Sequence, residues 1–204
     1  MNPLPRLYAI ADASFGDPIQ QAAALFNGGA RLIQIRNKQA SAREFLRQVE
    51  RIIAIAPSDA KVIVNDRVDV AMIAGADGVH LGQTDLPPAD ARKLLGPARI
   101  VGVSTHNLAQ AVEADKQSVD YVAVGPIFAT TTKSNPDPVL GFENLAQICK
   151  AVHKPVVAIG GIRLENAAGI LGAGARCVAV IRDLLDCADL RNRTSNWVEE
   201  LAKN

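Results

Sequence analysis

Two hydrophobic patterns alternate along the chain. Short β-branched apolar runs recur, and each is followed by a segment whose apolar residues return with helical spacing. This alternation predicts parallel strands joined by crossover helices. Eight runs are predicted as strands: Leu7–Ala11, Leu32–Arg36, Lys61–Asn65, Gly78–Leu81, Ile100–Ser104, Tyr121–Val124, Pro155–Ile159 and Cys177–Ile181. The predicted helices are Ile19–Phe26, Ala42–Ile55, Val68–Ala74, Ala89–Leu95, Leu108–Lys116, Phe142–Val152, Glu165–Leu171 and a last one near Trp197–Ala202.

Repeated strand and helix units of this kind predict a closed barrel. A short glycine and alanine phrase precedes the second, fourth and eighth strands, as Gly28-Gly29-Ala30, Gly75-Ala76-Asp77 and Gly172-Ala173-Gly174-Ala175. No GxGxxG follows the first strand, which disfavours an open doubly wound sheet. The predicted fold is therefore α/β, a single (β/α)8 TIM barrel that spans residues 1–204 as one domain. The long irregular stretch Pro126–Leu140 is predicted to be a functional or mobile loop.

Composition narrows the class of partner. The 204 residues are 49% hydrophobic, enough for one core, and 22 basic residues nearly balance 21 acidic ones. A net charge of +1 gives no general field for nucleic acid or a membrane surface, so neither is expected as a partner. Three cysteines without CxxC spacing indicate neither a disulfide framework nor a zinc site. With no targeting pattern and no apolar run of about 18 residues, we expect a cytoplasmic protein.

Polar residues crowd the carboxyl ends of the predicted strands, the face where barrel enzymes keep their active sites. Gln34, Arg36 and Lys38 occupy alternate positions at the end of the second strand, so their side chains point the same way. Two cations and an amide on one side can bind a pyrophosphate. The alternative is a solvated strand end with ordinary surface charges.

Two acidic residues follow the next strands. Asn65 and Asp66 end the third strand, and Asp85 follows the fourth. Carboxylate and amide oxygens, completed by phosphate oxygens and waters, are the ligands that Mg²⁺ prefers. Each acid could instead cap the helix after it. Their place beside Gln34 and its neighbours favours the metal.

Loops after later strands carry groups suited to phosphate. Thr130, Thr132 and Lys133 follow the sixth strand and could close over a phosphorylated substrate, although a plain polar surface loop is the alternative. Gly160-Gly161 after the seventh strand leaves backbone amides open, at the usual phosphate site of such barrels. That glycine pair could also serve only a tight turn.

The three histidines are predicted to have different roles. His80 lies inside the fourth strand and is predicted to be a hydrogen-bonded barrel-interior residue rather than a ligand. His153 is predicted to be exposed at a helix end. His106 lies near the expected mouth, and a catalytic role for it stays open because no nucleophile is patterned with it. Phe45 and Trp197 occupy helical positions typical of packing residues.

Six ordered blocks, QIRNK, VNDR, GVHLGQTD, GVSTH, YVAVGPIFATTTK and AIGGI, closely resemble the thiamin phosphate synthase family from Leu7 to about Asp183. The resemblance implies a transferase that joins an aminopyrimidine methyl pyrophosphate to a thiazole phosphate, with Mg²⁺ as cofactor. Implied contacts to the pyrophosphate substrate come from Gln34, Arg36, Lys38, Asn65, Ser104 and Lys133, of which Arg36, Lys38, Ser104 and Lys133 act in catalysis. Asp66 and Asp85 would hold the metal, and the thiazole phosphate would contact Thr130, Thr132, Gly161 and Ile181.

One position departs from the family pattern. After the eighth strand the family usually has a Val-Ser pair, whereas here Arg182 follows Ile181. Arg182 could replace the hydroxyl with a charge-assisted contact, or it could face solvent. Oligomeric state is left open, although symmetric homo-oligomers are common among such enzymes.

Three other functions compete with the synthase. A thiazole tautomerase on the same fold would carry a histidine at the end of the sixth strand, where this chain has Pro126. A non-catalytic regulator that binds thiamin precursors would not need the retained lysines and paired acids. A generic phosphate-binding barrel explains the Gly160-Gly161 region only.

Overall fold

The structure, a computed structural model, describes residues 4–130 and 137–203. Parallel strands pair in chain order and close into a barrel, with the last strand next to the first. The strands are β1 Leu7–Asp12, β2 Leu32–Arg36, β3 Lys61–Asn65, β4 Gly78–Leu81, β5 Ile100–Thr105, β6 Tyr121–Val124, β7 Val156–Ile159 and β8 Cys177–Val180. The predicted (β/α)8 barrel is confirmed.

Helices surround the strands. They are α1 Pro18–Asn27, α2 Ala42–Ile55, α3 Val68–Ala74, α4 Pro88–Leu95, α5 Leu108–Asp115, α6 Gly141–Ala151, α7 Ala167–Gly172, α8 Arg182–Leu185 and α9 Leu190–Ala202. Short 3-10 helices cover Ala13–Phe15 and Leu164–Asn166. The long α2 begins with a capping box, in which Ser41 and Glu44 each accept a hydrogen bond from the other's backbone N–H.

Several predicted boundaries differ from the observed ones, and three of these differences have a clear physical cause. The seventh strand begins at Val156 rather than Pro155, and proline has no N–H for the ladder. The eighth strand ends at Val180, because Ile181 is already the N-cap of α8, a helix too short to show a hydrophobic period. The last helix begins at Leu190, where the side chain of Asp189 caps it by accepting from Asn192 N–H.

Alternate residues of each strand face opposite sides of the barrel wall and form two apolar layers. The inner layer fills the barrel and includes Tyr8, Leu32, Ile63, Ile100 and Tyr121. The outer layer packs the strands against the helices, with buried residues such as Ala9, Ile33 and Val64. Burial of both faces explains why the strands read as nearly continuous apolar runs.

The final helix covers the barrel beside β1. Trp197 is 0% exposed and donates its indole N–H to Asp183 at 2.7 Å. Phe45 of α2 is also buried, so both aromatic residues pack as predicted.

Within residues 4–130 and 137–203, no helix combines the length and the apolar character that crossing a membrane would require. The single domain and the cytoplasmic location stay predictions.

Candidate active site

The strand register brings the predicted polar residues to one end of the barrel. Asp12 lies opposite Arg36 across the β1 and β2 pair, and Asn65 lies opposite His80 across β3 and β4. Because all strands are parallel, their carboxyl ends meet at the same rim. This rim is the candidate active site.

Arg36, the last residue of β2, is held by a buried carboxylate. Its Nη1 lies 2.5 Å from Asp12 Oδ2, and Asp12 is only 1% exposed. The other oxygen of Asp12 accepts hydrogen bonds from the backbone N–H and the hydroxyl of Ser14. A carboxylate fixed on both oxygens holds Nη1 of the guanidinium in place. The other guanidinium nitrogens can then donate to a ligand at the rim. Sequence reasoning missed Asp12, although its position at a strand end was visible.

Lys38 and Asp66 meet beside Arg36. Lys38 Nζ lies 3.2 Å from Asp66 Oδ2. Asp66 has a φ of 62°, a left-handed conformation that is uncommon outside glycine and often found at functional sites. Its backbone N–H donates to His80 O at 2.8 Å, which fixes the turn against β4. The N-cap of α3 is Arg67 and no side chain caps that helix, so the capping alternative for Asp66 is wrong.

Asp85 completes a pair of carboxylates. Its Oδ2 accepts from Gly82 N–H at 2.6 Å, and the N-cap of α4 is Pro87, so Asp85 does not cap that helix. Burial raises the pKa of the Asp85 carboxyl above its usual value, and the adjacent Asp66 carboxyl raises it further, against the opposing effect of the Gly82 N–H. Two carboxylates that disfavour each other's charge form a pair that a divalent cation would stabilise. Among the described residues, no group of three or more metal-ligating side chains exists.

A chain of hydrogen bonds crosses the barrel interior below the rim. Gln34 Nε2 donates to the Tyr8 hydroxyl at 3.0 Å, and this hydroxyl lies 3.0 Å from that of Tyr121. The Tyr121 hydroxyl lies 2.8 Å from His80 Nδ1, and His80 Nε2 lies 2.8 Å from Ser104 Oγ. His80 is therefore a hydrogen-bonded interior residue, as predicted. Sequence reasoning missed both tyrosines, whose polar hydroxyls inside apolar strands were the available signal.

The other side of the rim carries the glycine pair. Gly160 and Gly161 have φ values of 100° and 64°, and a Cβ on Gly161 would lie 2.5 Å from Ala129 O. Phe128 N–H donates to Gly160 O at 3.0 Å. The glycines are thus required by the close approach of the loop after β6, which brings Thr130, the neighbour of Ala129, to this side of the rim. Within the described part of the chain, Gly161 N–H donates to no other backbone group.

Two predicted residues, Thr132 and Lys133, belong to the segment 131–136 and lie outside the described residues. Asn65 is 8% exposed at the end of β3. Ser104 is partly exposed near the end of β5.

Arg182, the unusual residue after β8, makes contacts away from Gly161. Its Nη1 lies 3.3 Å from Asp186 Oδ2, and its guanidinium stacks 5.2 Å from the ring centre of Phe15. Ile181, immediately before it, follows the end of β8 and is the N-cap of α8. A contact from Arg182 to a substrate stays a prediction.

His106 bridges two loops at the rim. Its Nδ1 lies 2.7 Å from Gly125 O and 3.3 Å from Asp137 Oδ2. His153 is on the outside, with a side chain that is 95% exposed, as predicted.

The fold and the site together define a (β/α)8-barrel enzyme whose rim gathers two cations, a carboxylate pair and open backbone amides. The family model described as thiamine monophosphate synthase matches residues 7–184. A thiamine-phosphate synthase from Koribacter versatilis is 48% identical over 205 residues, covering 97% of this chain and 96% of the relative. One from Anaeromyxobacter dehalogenans is 49% identical, covering 90% of this chain and 82% of the relative.

Solved structures agree with these relatives. Thiamine phosphate pyrophosphorylase from Pyrococcus furiosus superimposes with a TM-score of 0.89 at 35% identity, covering 97% of this chain and 96% of the other. The chain therefore belongs to the thiamine monophosphate synthase family and functions as a thiamine-phosphate synthase, a transferase. The predicted family and class of enzyme are confirmed.

Proposed function

We propose that the enzyme joins an aminopyrimidine methyl pyrophosphate to a thiazole phosphate or its carboxylated form, and releases pyrophosphate. The observation that carries the proposal is the convergence of Arg36, Lys38, Asp66 and Asp85 at one arc of the rim. Cations next to a carboxylate pair suit an anion that binds together with a divalent metal ion.

The β2 to β5 arc receives the pyrophosphate in this proposal. Arg36 offers a planar set of donors, and Lys38 adds a compact positive charge. The amide of Asn65 and the hydroxyl of Ser104 add neutral contacts, while Gln34 lies deeper, in the interior hydrogen-bond chain. Lys133 is proposed to contact the same pyrophosphate on sequence grounds alone.

Asp66 and Asp85 would hold Mg²⁺. The fit rests on the contact between the two carboxyl groups, since Asp66 adds to the effect of burial in raising the pKa of Asp85. Bound Mg²⁺ would offset the negative charge that develops on the departing pyrophosphate. Lys38, 3.2 Å from Asp66, offsets part of the carboxylate charge at the same place.

The β6 to β8 arc is proposed to bind the thiazole phosphate. The open N–H of Gly161, the hydroxyls of Thr130 and Thr132, and the backbone at Ile181 are donors suited to phosphate oxygens. The two anions would then occupy opposite arcs with the reacting rings between them. Such placement supplies proximity without a strong base or nucleophile.

A dissociative reaction suits these residue types. The bond from the pyrimidine methylene carbon to the pyrophosphate oxygen breaks first, and its electron pair leaves with the pyrophosphate. The pyrimidine cation is stabilised by its ring amino group until the thiazole nitrogen donates an electron pair and forms the new carbon–nitrogen bond. The protein neutralises the leaving anion and keeps water away from the cation.

Incubation of the purified protein with both substrates and Mg²⁺ tests the proposal. We expect pyrophosphate and thiamin phosphate to appear in equal amounts, and release to stop when the thiazole is omitted or Mg²⁺ is chelated. Substitutions Asp66→Ala and Lys133→Ala should each lower kcat by orders of magnitude without unfolding the protein. Full activity in either variant would show that the residue has another role.

The tautomerase alternative is tested in the same assay. It predicts turnover of the thiazole alone and no pyrophosphate release, and it would need His106, the histidine whose ring lies 2.7 Å from Gly125 O after β6. We expect no thiazole turnover without the pyrimidine substrate, in the wild type and in His106→Ala alike.

A further inference from the structure

Five side chains from five strands form one hydrogen-bonded chain through the barrel interior. In order they are Gln34, Tyr8, Tyr121, His80 and Ser104. Its last member reaches the rim on the pyrophosphate arc. We call this chain the interior relay.

The amide N–H of Gln34 at one end of the relay favours one direction for its hydrogen bonds. Gln34 Nε2–H donates to Tyr8. Either tyrosine hydroxyl could donate to the other across their 3.0 Å contact, and Tyr8 as the donor gives both hydroxyl hydrogens a partner within the relay. The hydrogen of Tyr121 then goes to His80 Nδ1, which must accept. His80 therefore carries its proton on Nε2 and donates it to Ser104 Oγ, leaving the Ser104 hydrogen directed away from the relay.

The surroundings keep the tyrosines in this state. Burial raises the pKa of both the Tyr8 and the Tyr121 hydroxyl well above the usual value, so each remains a neutral phenol with one hydrogen to donate. The rings are also fixed: His80 and Tyr121 stack with ring centres 5.7 Å apart, and Tyr8 meets Tyr121 edge to face at 5.9 Å. Gly102 makes this packing possible, because a Cβ there would overlap the Tyr121 ring.

We propose that Tyr121 and His80 are positioning residues that hold Ser104 as a hydrogen-bond donor toward an oxygen of the substrate pyrophosphate. The inference rests on the proposed function, which gives Ser104 its substrate. The Ser104 oxygen already accepts from His80 Nε2–H, so the hydroxyl hydrogen points away from His80 before the substrate binds. Such a preset donor stabilises developing charge at no cost of reorientation.

The proton position on His80 is the direct test, and it needs no variant. In ¹⁵N-labelled protein at neutral pH, we expect the His80 ring shifts of the neutral imidazole with its proton on Nε2. A proton on Nδ1 would mean that the relay runs the other way and that Ser104 donates inward, which overturns the proposal.

A pair of tyrosine variants separates positioning from packing. Tyr121→Phe removes the donor to His80 Nδ1, whereas Tyr8→Phe is the matched control, because Tyr121 keeps its hydroxyl and His80 Nδ1 becomes the remaining relay partner of that hydroxyl. We expect kcat to fall about tenfold in Tyr121→Phe, the value of one good hydrogen bond, and by much less in Tyr8→Phe. Equal losses in both would indicate a structural role only.

Two further measurements address the route through Ser104. In a Ser104→Ala background, Tyr121→Phe should lower kcat no further, because its target is gone; full additivity would contradict the proposal. His80→Gln, which keeps an amide near the Nε2 position, should retain more kcat than His80→Asn, which keeps one near Nδ1. Should the wild type release no pyrophosphate, the proposed function fails; if it does but these effects are absent, only the relay fails.

Discussion

At the scale of single residues, the rim depends on carboxylates that hold cations in place. Asp12 is buried and accepts from Arg36 at 2.5 Å, so Arg36 reaches the rim in one orientation rather than as a flexible surface side chain. Fixing a side chain before the substrate arrives lowers the entropy that binding must overcome. Asp12 thus acts on the substrate only through Arg36.

Asp12→Asn should therefore raise KM for the pyrimidine pyrophosphate by about tenfold, since the charged hydrogen bond that holds Arg36 is weakened. Steady-state kinetics with varied pyrimidine substrate measures the change. Asp17→Asn is the matched control on the same connection, because Asp17 caps α1 through Ile19 N–H and forms no ion pair with any of the residues that the structure describes. An unchanged KM in Asp12→Asn would show that Arg36 is positioned by other contacts.

The carboxylate pair gives a second prediction at this scale. Calorimetric titration with inorganic pyrophosphate should show binding that is tightened by Mg²⁺ in the wild type. In Asp85→Asn, the factor by which Mg²⁺ tightens pyrophosphate binding should be at least about tenfold smaller, because one of the two anionic ligands becomes neutral. Asp69→Asn is the control, since Asp69 pairs with Arg67 on the surface of the next helix. A gain that survives in Asp85→Asn would place the metal elsewhere.

At the scale of elements, hydrogen bonds outside the rim connect the end of α5 to the segment before β7. Asp115 at the end of α5 accepts from the backbone N–H groups of His153 and Lys154, which lead into β7. Burial raises the pKa of Asp115, but these hydrogen bonds and His153 outweigh it, and the net pKa lies below the ordinary 3.8. The folded protein therefore prefers the ionised carboxylate.

Stability from Asp115 should be lost on acidification. Between the lowered folded pKa and the ordinary unfolded pKa, the unfolded state binds more protons, so stability is complete above this window and disappears as pH falls through it. We expect Asp115→Asn to have a lower Tm than the wild type at neutral pH, with a difference that shrinks as the pH falls below the ordinary pKa of 3.8. Thermal melts over this range test it, with Glu113→Gln on the same helix as the control. A constant difference would contradict the prediction.

The elements also show what sequence can and cannot predict. The short apolar runs predicted the eight strands because each strand is buried on both faces. The strand ends marked by Gln34, Arg36 and Asp66 lie at one rim, as the parallel topology requires. Partners across the barrel were not visible, since the contacts of Asp12 and Tyr121 depend on strand register and closure. The short α8 was missed because four residues show no period.

At the scale of the whole molecule, α9 stabilises the barrel where its first and last strands meet. Asp183 accepts from the buried Trp197 indole at 2.7 Å and from Arg193 through both oxygens. This interaction connects α9 to α8, the short helix after β8. The partners of Asp183, Arg193 and Trp197, are not among the residues proposed to bind substrate.

Asp183→Ala should lower the free energy of unfolding by about 3 kcal/mol, because it leaves a buried indole N–H and a guanidinium without their acceptor. Urea denaturation measures the loss, and kcat/KM of the remaining folded protein should be unchanged. Asp186→Ala, which removes an exposed ion pair with Arg182, should cost no more than about 0.5 kcal/mol. Comparable losses in the two variants would contradict the role given to Asp183.

Gly102, which has no side chain, limits the substitutions that the barrel interior tolerates. The Tyr121 phenol occupies the volume in which even a methyl group on residue 102 would stand. A saturation library should therefore accept glycine alone at this site, although Gly102 is not among the residues proposed to bind substrate. The restriction at Gly102 therefore comes from the volume that the Tyr121 ring occupies inside the barrel.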